Sequence, residues 1–177
     1  EELFEAFKKQ MKHFIDIKVR GNRVIERLYA TKMPVPFLSV IIDDCISKGK
    51  DYNAGGARYN TSYIQGVGIG NITDALTAIK YNVFDNKKLT MEELLNAVKK
   101  NFEGHEDILH LVKNKTPKYG NDDDYADEIM TEVFHAYYNE VTGRPNGKGG
   151  VHRINMLPTT CHIYFGSVIG ATPDGRL

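Results

Sequence analysis

Residues 51–74, DYNAGGARYNTSYIQGVGIGNITD, form the stretch that decides the fold of this chain. The stretch contains five glycines: Gly55, Gly56, Gly66, Gly68 and Gly70. Glycine inside a helix or strand costs roughly 0.5–1 kcal/mol relative to alanine, so this density indicates backbone that packs closely against a neighbour or bends sharply. None of the intervening side chains suggests a nucleophile, a metal cage or a general base. We therefore expect the segment to shape a site whose chemistry is supplied elsewhere.

Gly66, Gly68 and Gly70 precede a predicted helix and could be taken for a dinucleotide-binding loop. That loop requires the pattern G-x-G-x-x-G after a buried strand, with an acidic residue about 20 positions later. The spacing in this chain is G-x-G-x-G, and the residues before it are too polar for a buried parallel strand. Close packing of the backbone is therefore favoured over nucleotide binding.

The composition argues against several classes of function. A chain of 177 residues corresponds to about one domain, and its 23 acidic residues balance 23 basic ones. The net charge of zero offers no electrostatic footprint for nucleic acid or an anionic membrane, and no apolar run approaches the roughly 20 residues of a membrane span. Cys45 and Cys161 form neither a metal-binding spacing nor a disulfide framework, which favours a reducing cytoplasm.

Both ends of the chain predict a segment of a longer protein. The sequence starts inside an amphipathic helical pattern without an initiator methionine, and it stops directly after a Pro-Asp-Gly-Arg turn. The predicted helices leave too few strands for an independent sheet. We therefore expect a helix-rich piece of a larger α/β structure.

Apolar periodicity predicts the helices of the first half. The first helix is predicted to begin near residue 3, to be interrupted near Gly21 and to resume towards residue 28. A buried helix over residues 37–47 is closed by Gly49. A further helix follows the glycine-rich stretch, with its apolar face at residues 72–83 and with Asn71 or Thr73 as its cap.

Capping patterns predict the helices of the second half. Thr90 and Glu93 have the spacing of a capping box, in which each side chain bonds the backbone amide of the other. The next helix covers about residues 103–113. Asn121 is placed to cap the helix after it, whose first aspartates favour the positive end of the macrodipole, and that helix ends near Val141.

The stretch over residues 151–166, VHRINMLPTTCHIYFG, predicts one strand, or two strands interrupted by Pro158. On a strand, Thr160, His162 and Tyr164 would share one face. These three hydrogen-bonding side chains could line a polar pocket or form a solvent-exposed outer face. The pattern alone leaves both interpretations open.

Three groups of residues approach known chemical motifs, and none has the spacing that the chemistry needs. His105 and His110 are five residues apart, whereas the zinc-protease helix requires four. The aspartates at residues 122–124 lack the central glycine and closing glutamate of a calcium loop. Cys161 and His162 would point to opposite faces of a strand, so His162 cannot be the immediate base for that thiol. We predict no metal site in the chain.

Four motifs in order resemble the C-terminal half of the glycyl radical enzymes, the pyruvate formate-lyase and glycerol dehydratase family. They are AGGARYN at 54–60, GVGIGNITDALTAIKY at 66–81, YGND at 119–122 and ATPDGR at 171–176. The resemblance covers nearly the whole chain with sensible spacing. The forms DYNAGGARYN and TPDGR are closer to the dehydratase branch than to the formate-lyase branch.

The resemblance implies that residues 1–177 are a partial segment of the C-terminal half of one large domain, a ten-stranded α/β barrel. In this family, one loop carries a thiyl-forming cysteine followed by a general-base glutamate. A second loop carries the glycine on which a radical-SAM activase installs a radical. Neither loop motif occurs in this sequence, so the resemblance implies that both lie outside it, that no catalytic residue is present, and that the segment alone is inactive.

What the resemblance assigns to this segment is one wall of the substrate site. The family's substrate-facing positions map onto Thr160, expected to donate a hydrogen bond, and then onto Thr159, Pro158 and His162. The five glycines of the opening stretch are expected to pack beside the site, and Arg176 to serve as an ion-pairing anchor. The family also implies a small-molecule substrate, a homodimer and no bound cofactor beyond the glycyl radical.

The predicted function of the complete enzyme is dehydration, the cleavage of a C–O bond, by thiyl and glycyl radical chemistry in anaerobic metabolism. Other reactions of the family remain open: dehydration of glycerol or a diol, cleavage of the C–N bond of choline, and C-acetyl transfer to formate. An alternative of another class is a non-catalytic scaffold or binding module derived from such an enzyme.

Overall fold

The structure, a computed structural model, describes residues 1–157 and 160–177. These residues form a helix-rich α/β arrangement with two short strands, β1 (Ser62–Gln65) and β2 (His152–Asn155). The α-helices are α1 (Glu2–Lys32), α2 (Pro36–Ile41), α3 (Cys45–Lys48), α4 (Ile69–Ile79), α5 (Met91–Lys99), α6 (Glu106–Asn114), α7 (Asp124–Val141) and α8 (Cys161–Val168). A 3-10 helix covers Tyr52–Ala54, and a π-helix covers Lys80–Asp85.

The chain divides into two compact units. The first contains residues 1–65 and 136–156, and the second contains residues 66–135, 157 and 160–177. Each unit has its own buried apolar cluster. The glycine-rich stretch runs across the boundary, with Gly55 and Gly56 in the first unit and the other three glycines in the second.

The first unit is organised around a two-stranded parallel sheet. Strand β1 pairs with β2, so that Ser62 lies opposite His152 and Gln65 opposite Asn155. Ile64 is the buried residue of β1. The apolar cluster around it consists of residues from α1, α7 and β1: Ile15, Val19, Ile64, Tyr137 and Val141.

The sequence did not predict strand β1, and the residues before Gly66 are expected to be too polar for a buried parallel strand. That expectation holds for a strand buried on both faces, whereas β1 has one hydrogen-bonded neighbour and one fully buried side chain, Ile64. A short strand of this kind can carry Ser62, Tyr63 and Gln65 without burying them.

The core of the second unit is built by α4, α5 and α6. Its fully buried residues include Ala78 on α4, Leu94 and Ala97 on α5, and Val112 on α6. Phe102, which follows α5 with a φ of 61°, is also buried and packs in the same cluster. We call this cluster the frame of the second unit, and the C-terminal residues of the chain pack against it.

The predicted capping box at the start of α5 is confirmed. The Thr90 hydroxyl accepts a hydrogen bond from the Glu93 amide at 3.2 Å, and the Glu93 carboxylate accepts one from the Thr90 amide at 2.8 Å. These hydrogen bonds lower the pKa of Glu93. The predicted closing glycine, Gly49, also occupies the left-handed position after α3, and the predicted end of α7 at Val141 is confirmed.

Two predicted boundaries in the first unit are wrong. Helix α1 continues through Gly21 without interruption, because the cost of one interior glycine, about 1 kcal/mol, is small beside the cooperativity of a 31-residue helix. The expected helix over residues 37–47 is two short helices, α2 and α3. Asp44 separates them with a φ of 76°, a left-handed conformation that aspartate adopts more readily than most residues.

Two helix starts in the second unit also differ from the prediction. Helix α4 begins at Ile69 with Gly68 before it, so neither Asn71 nor Thr73 is its cap. Helix α7 begins at Asp124 and not after Asn121. The Asp123 carboxylate accepts a hydrogen bond from the Tyr125 amide at 3.1 Å, which places the cap two residues later than predicted.

The largest correction concerns residues 161–168, which form helix α8 where the sequence predicted a strand. The prediction relied on β-branched and aromatic side chains, whose strand preference depends strongly on context. Among the described residues of the predicted segment, strand β2 covers His152–Asn155, and Val151 forms an isolated bridge with Pro145. Thr160, His162 and Tyr164 therefore do not share one face of a strand.

The hydroxyl of Tyr137 provides a test of the first unit. It donates a hydrogen bond of 2.7 Å to the carbonyl of Ile64, and burial raises the pKa of Tyr137 to about 12. Tyr137→Phe would leave that buried carbonyl unsatisfied, so we expect local opening of β1 to become easier by about 1–3 kcal/mol. Hydrogen exchange of the β1 amides measures this change. Tyr59→Phe, at an exposed tyrosine of the same unit, is the control, and equal exchange in both variants would contradict the prediction.

Candidate functional site

Two of the predicted substrate-facing residues, Thr160 and His162, lie at the start of α8. Thr160 directly precedes the helix, has helical backbone angles and is exposed. Its side chain makes no hydrogen bond that caps α8 within the described part of the chain. The Thr160 hydroxyl therefore does not serve as a cap of α8. The predictions for Pro158 and Thr159 lie outside the described residues.

His162 is exposed in the first turn of α8. Successive residues of an α-helix are rotated by about 100°, so the side chains of Thr160 and His162 leave the helix about 200° apart. The helix therefore does not bring these two predicted site residues together on one face. Thr160 and Tyr164, four residues apart, do lie on the same side of the helix.

The chain reverses after α8 in the turn that contains residues 172–176. The amide of Gly175 donates to the carbonyl of Thr172 at 3.0 Å, and the amide of Thr172 donates to the carbonyl of Arg176 at 3.0 Å. Gly175 has a φ of 86°, a left-handed conformation that glycine adopts in turns without steric cost. A Cβ on Gly175 would lie 3.1 Å from the Cβ of Lys113 on α6. The turn thus rests directly on α6.

Arg176 anchors this turn, although not through the predicted ion pair. Its guanidinium donates hydrogen bonds to backbone carbonyls: to Gly166, to Ile169 at 3.2 Å and to Gly170 at 2.9 Å. These carbonyls belong to α8 and the two residues after it. A helix end offers a guanidinium oxygen acceptors of its own, and an ion pair of Arg176 with a carboxylate remains a prediction for the complete enzyme.

A polar cluster supports the other side of the turn. Lys118 donates a hydrogen bond of 2.9 Å to the backbone carbonyl of Asp174, and Asp74 accepts one of 2.8 Å from the amide of Tyr119. Burial is the largest cause of both pKa shifts in the cluster: it raises the pKa of Asp74 and lowers the pKa of Lys118. A dominant ion pair would shift both values in the opposite directions. The cluster is therefore held mainly by backbone hydrogen bonds.

The sequence did not predict the roles of Asp74 and Lys118, and it could have given only a partial signal. Asp74 closes the glycine-rich stretch, and Lys118 precedes the YGND motif. Asp74 lies within a segment that the family resemblance marks and Lys118 lies next to one, but their common partner region, the turn at Asp174, is far away in sequence. The contact of Asn101 with this region, whose side-chain oxygen accepts from the Ala171 amide at 3.0 Å, is equally non-local.

The glycines of the opening stretch differ in what they do. A Cβ on Gly56 would overlap the carbonyl oxygen of Lys50 and lie 2.8 Å from its carbon, and a Cβ on Gly55 would meet the Lys148 carbonyl in the same way. Gly68 has open space around it but a φ of 89°. A Cβ on Gly70 would lie 3.9 Å from the Tyr119 ring, which is an ordinary contact. Close backbone packing is thus a property of Gly55 and Gly56.

The two cysteines of the chain differ in their exposure. Cys45 is 2% exposed inside the first unit, and Cys161 is partly exposed on α8. Across residues 1–157 and 160–177, no group of three or more histidine, cysteine, aspartate or glutamate side chains could hold a metal ion. Likewise, none of the helices described is long and apolar enough to cross a membrane.

Comparison with known proteins identifies what this arrangement is similar to. A family model described as pyruvate formate lyase-like matches residues 1–166. The chain is 71% identical over 177 residues to trans-4-hydroxy-L-proline dehydratase of Clostridioides difficile. The crystal structure of that dehydratase with trans-4-hydroxy-L-proline bound superposes on the whole chain with a TM-score of 0.97. The glycerol-bound form of the B12-independent glycerol dehydratase from Clostridium butyricum superposes on 99% of it with a TM-score of 0.93 and 42% identity.

The chain spans about a fifth of the length of these relatives. It covers 22% of the Clostridioides difficile dehydratase and 22% of the Clostridium butyricum structure. The superpositions place its helix-rich fold among glycyl radical enzyme structures.

Two glycines of the opening stretch give opposite predictions for alanine. Gly56→Ala should ease opening of the loop at residues 50–60 by about 1–3 kcal/mol, because the Lys50 carbonyl would have to move. Gly70→Ala in α4 should be neutral or slightly stabilising, because alanine favours a helix and meets no close contact. Hydrogen exchange of the two segments measures both changes, and similar effects of the two substitutions would refute the distinction.

Proposed function

Because this chain belongs to the pyruvate formate lyase-like family, we propose that it is part of a glycyl radical enzyme that dehydrates trans-4-hydroxy-L-proline. The observation that carries this proposal is the 71% identity to the Clostridioides difficile dehydratase along the entire chain. The glycerol dehydratase structure, which has a very similar fold, shares only 42% of its residues with the chain. Fold similarity supports the family, and the difference in identity supports the substrate.

In this proposal, the chain is a segment of the C-terminal half of a ten-stranded α/β barrel and contributes one wall of the substrate site. A glycyl radical, installed outside this chain by a radical-SAM activase, would supply the hydrogen-atom abstraction that starts the reaction. The thiyl cysteine and the general base also belong to other parts of the enzyme.

The contribution of this chain is to orient the substrate. The exposed hydroxyl of Thr160 can donate a hydrogen bond to a substrate oxygen without giving up a bond that caps α8 in the described residues. Thr159 and Pro158, which precede Thr160 in the sequence, and His162, in the first turn of the helix, remain predicted substrate contacts. Because the hydroxyproline substrate carries several oxygen atoms, a fixed donor distinguishes one orientation from another.

Exposed apolar surface supports the proposal that further polypeptide covers these units. On α2, Phe37 is 91% exposed and Ile41 75% exposed, and on α8 Val168 is 81% exposed. Large apolar side chains exposed to this degree, on each unit taken by itself, are typical of surface that another part of a protein covers. In the complete enzyme, the rest of the barrel and a second subunit of a homodimer would cover it. We place this enzyme in the cytoplasm, where the two free cysteines remain reduced.

The proposed activity can be tested on the full-length protein that contains this chain. After anaerobic treatment with a competent activase, electron paramagnetic resonance should show a glycyl doublet, and the sample should consume trans-4-hydroxy-L-proline in preference to glycerol. A doublet with preferential turnover of glycerol would refute the substrate. Absence of the doublet with an activase that works on a control enzyme would refute the radical chemistry and favour a non-catalytic scaffold.

The role of Thr160 predicts a specific pattern among its variants. Thr160→Val keeps the shape of the side chain but removes the donor, so kcat/KM should fall by about 10- to 100-fold, as expected for a lost hydrogen bond of roughly 1–3 kcal/mol. Thr160→Ser retains the hydroxyl and should stay near the activity of the unmodified protein. The glycyl doublet should keep its intensity in both. Unchanged kinetics in the valine variant would remove Thr160 from the site.

A further inference from the structure

Helix α8 has little buried surface to hold it within its own unit. Ile163, Tyr164, Phe165 and Val168 are each at least half exposed. A helix of eight residues is marginal without tertiary contacts, because the cost of nucleation is shared by few hydrogen bonds. The contacts at its ends are therefore important for its position.

The C-terminal end of α8 is satisfied by Arg176. The last carbonyls of a helix have no partner in the helix and carry the negative end of its dipole. The last turn of α8 contains no basic residue, and Arg176 supplies the cation from outside the helix. Its Nη2 atom donates to the carbonyl of Gly166, and its Nη1 atom donates to the carbonyls of Ile169 and Gly170.

Gly166 makes room for this contact. A Cβ at that position would lie 3.1 Å from Nη2 of Arg176, closer than side-chain atoms normally approach. Glycine inside a helix costs about 1 kcal/mol relative to alanine, so its presence in an eight-residue helix needs a compensating reason. Direct access of the guanidinium to the Gly166 carbonyl is such a reason.

Arg176 is itself held by the frame of the second unit. The turn that carries it rests on α6 through Gly175, and Lys118 binds the carbonyl of Asp174. In the described residues, Arg176 forms no ion pair within 4.0 Å, so its charge is directed at the helix end. Contacts therefore link α6 to the turn, and the Arg176 guanidinium links the turn to α8.

We infer that Arg176 is a positioning residue that fixes α8 on the frame of the second unit and thereby places the Thr160 hydroxyl for the substrate. Thr160 and Gly166 are six residues apart, about 9 Å along a helix, so a tilt of α8 at its C-terminal end displaces Thr160. This inference rests on the proposed function for the part that concerns the substrate. The part that concerns α8 stands on the contacts alone.

The test uses Arg176→Gln and Arg176→Lys in the full-length, activated protein. Hydrogen exchange of the α8 amides should become about tenfold faster in Arg176→Gln and change less in Arg176→Lys, which keeps the charge but has one donor group in place of a fork. The glycyl doublet should be unchanged. KM for trans-4-hydroxy-L-proline should rise by about tenfold in the glutamine variant, because a small displacement of a positioning group weakens binding strongly.

A double-mutant cycle decides whether Arg176 acts through Thr160. In a Thr160→Val background, Arg176→Gln should change KM by less than about twofold, because the group that it positions is already absent. Fully additive effects would overturn the inference. Asn101→Gly is the matched control: it releases Ala171 from the same segment, suits the φ of 48° at that position, and should leave KM unchanged. An equal rise of KM in this control would assign the effect to general loosening.

The two proposals fail in different ways. If the unmodified, radical-bearing protein does not turn over trans-4-hydroxy-L-proline, the proposed function is wrong, and hydrogen exchange still decides whether Arg176 holds α8. If the unmodified protein is active and α8 exchanges at the same rate in all Arg176 variants, the further inference is wrong. Should Arg176→Gln fail to accumulate, Arg176→Lys provides the same comparison with a smaller expected change.

Discussion

The parallel pairing of β1 and β2 depends on a close approach of two loops that only glycine permits. The loops at residues 50–60 and 144–151 meet where a Cβ on Gly55 or Gly150 would overlap a backbone carbonyl, of Lys148 and Asn60 respectively. Asn146 joins the same loops: its side-chain amide donates to the Asn60 carbonyl at 2.6 Å and to the Ser62 hydroxyl at 2.9 Å. Because the register of a strand determines which side chains are buried, this approach places Ile64 in the core.

The sequence predicted the features that have a local cause. The capping box at Thr90 and Glu93 needs four consecutive residues, and the turn conformation of Gly175 follows from its neighbours in the Pro-Asp-Gly motif. The density of glycines correctly indicated close backbone packing, although the partners of Gly55 and Gly56 could not be named. The family resemblance supplied the rest of the fold class, which local patterns do not determine.

The features that the sequence missed depend on distant contacts. Helix α8 contains β-branched and aromatic residues that favour a strand locally, and its C-terminal carbonyls are satisfied by Arg176, which lies ten residues after Gly166. Strand β1 is polar because its surroundings bury only Ile64. The candidate site also depends on contacts between residues far apart in sequence. Thr160 was identified from the resemblance, whereas the support that Asp74 and Lys118 give to the turn could be recognised only in the folded structure. Whether Thr160 contacts a substrate remains a prediction.

The second unit holds its C-terminal residues with cations that bind backbone carbonyls. Lys118 binds the carbonyl of Asp174, and Arg176 binds three carbonyls at the end of α8. A carbonyl does not titrate, so the Arg176 contacts persist when the pH falls, whereas an ion pair would lose its carboxylate. The half-buried Asp74 behaves differently: its raised pKa means that its contribution to stability is greatest when it is protonated and declines as the pH rises through that pKa. The contacts of Arg176 with α8 are thus direct bonds to backbone carbonyls, whereas the support of the turn through Asp74 varies with pH.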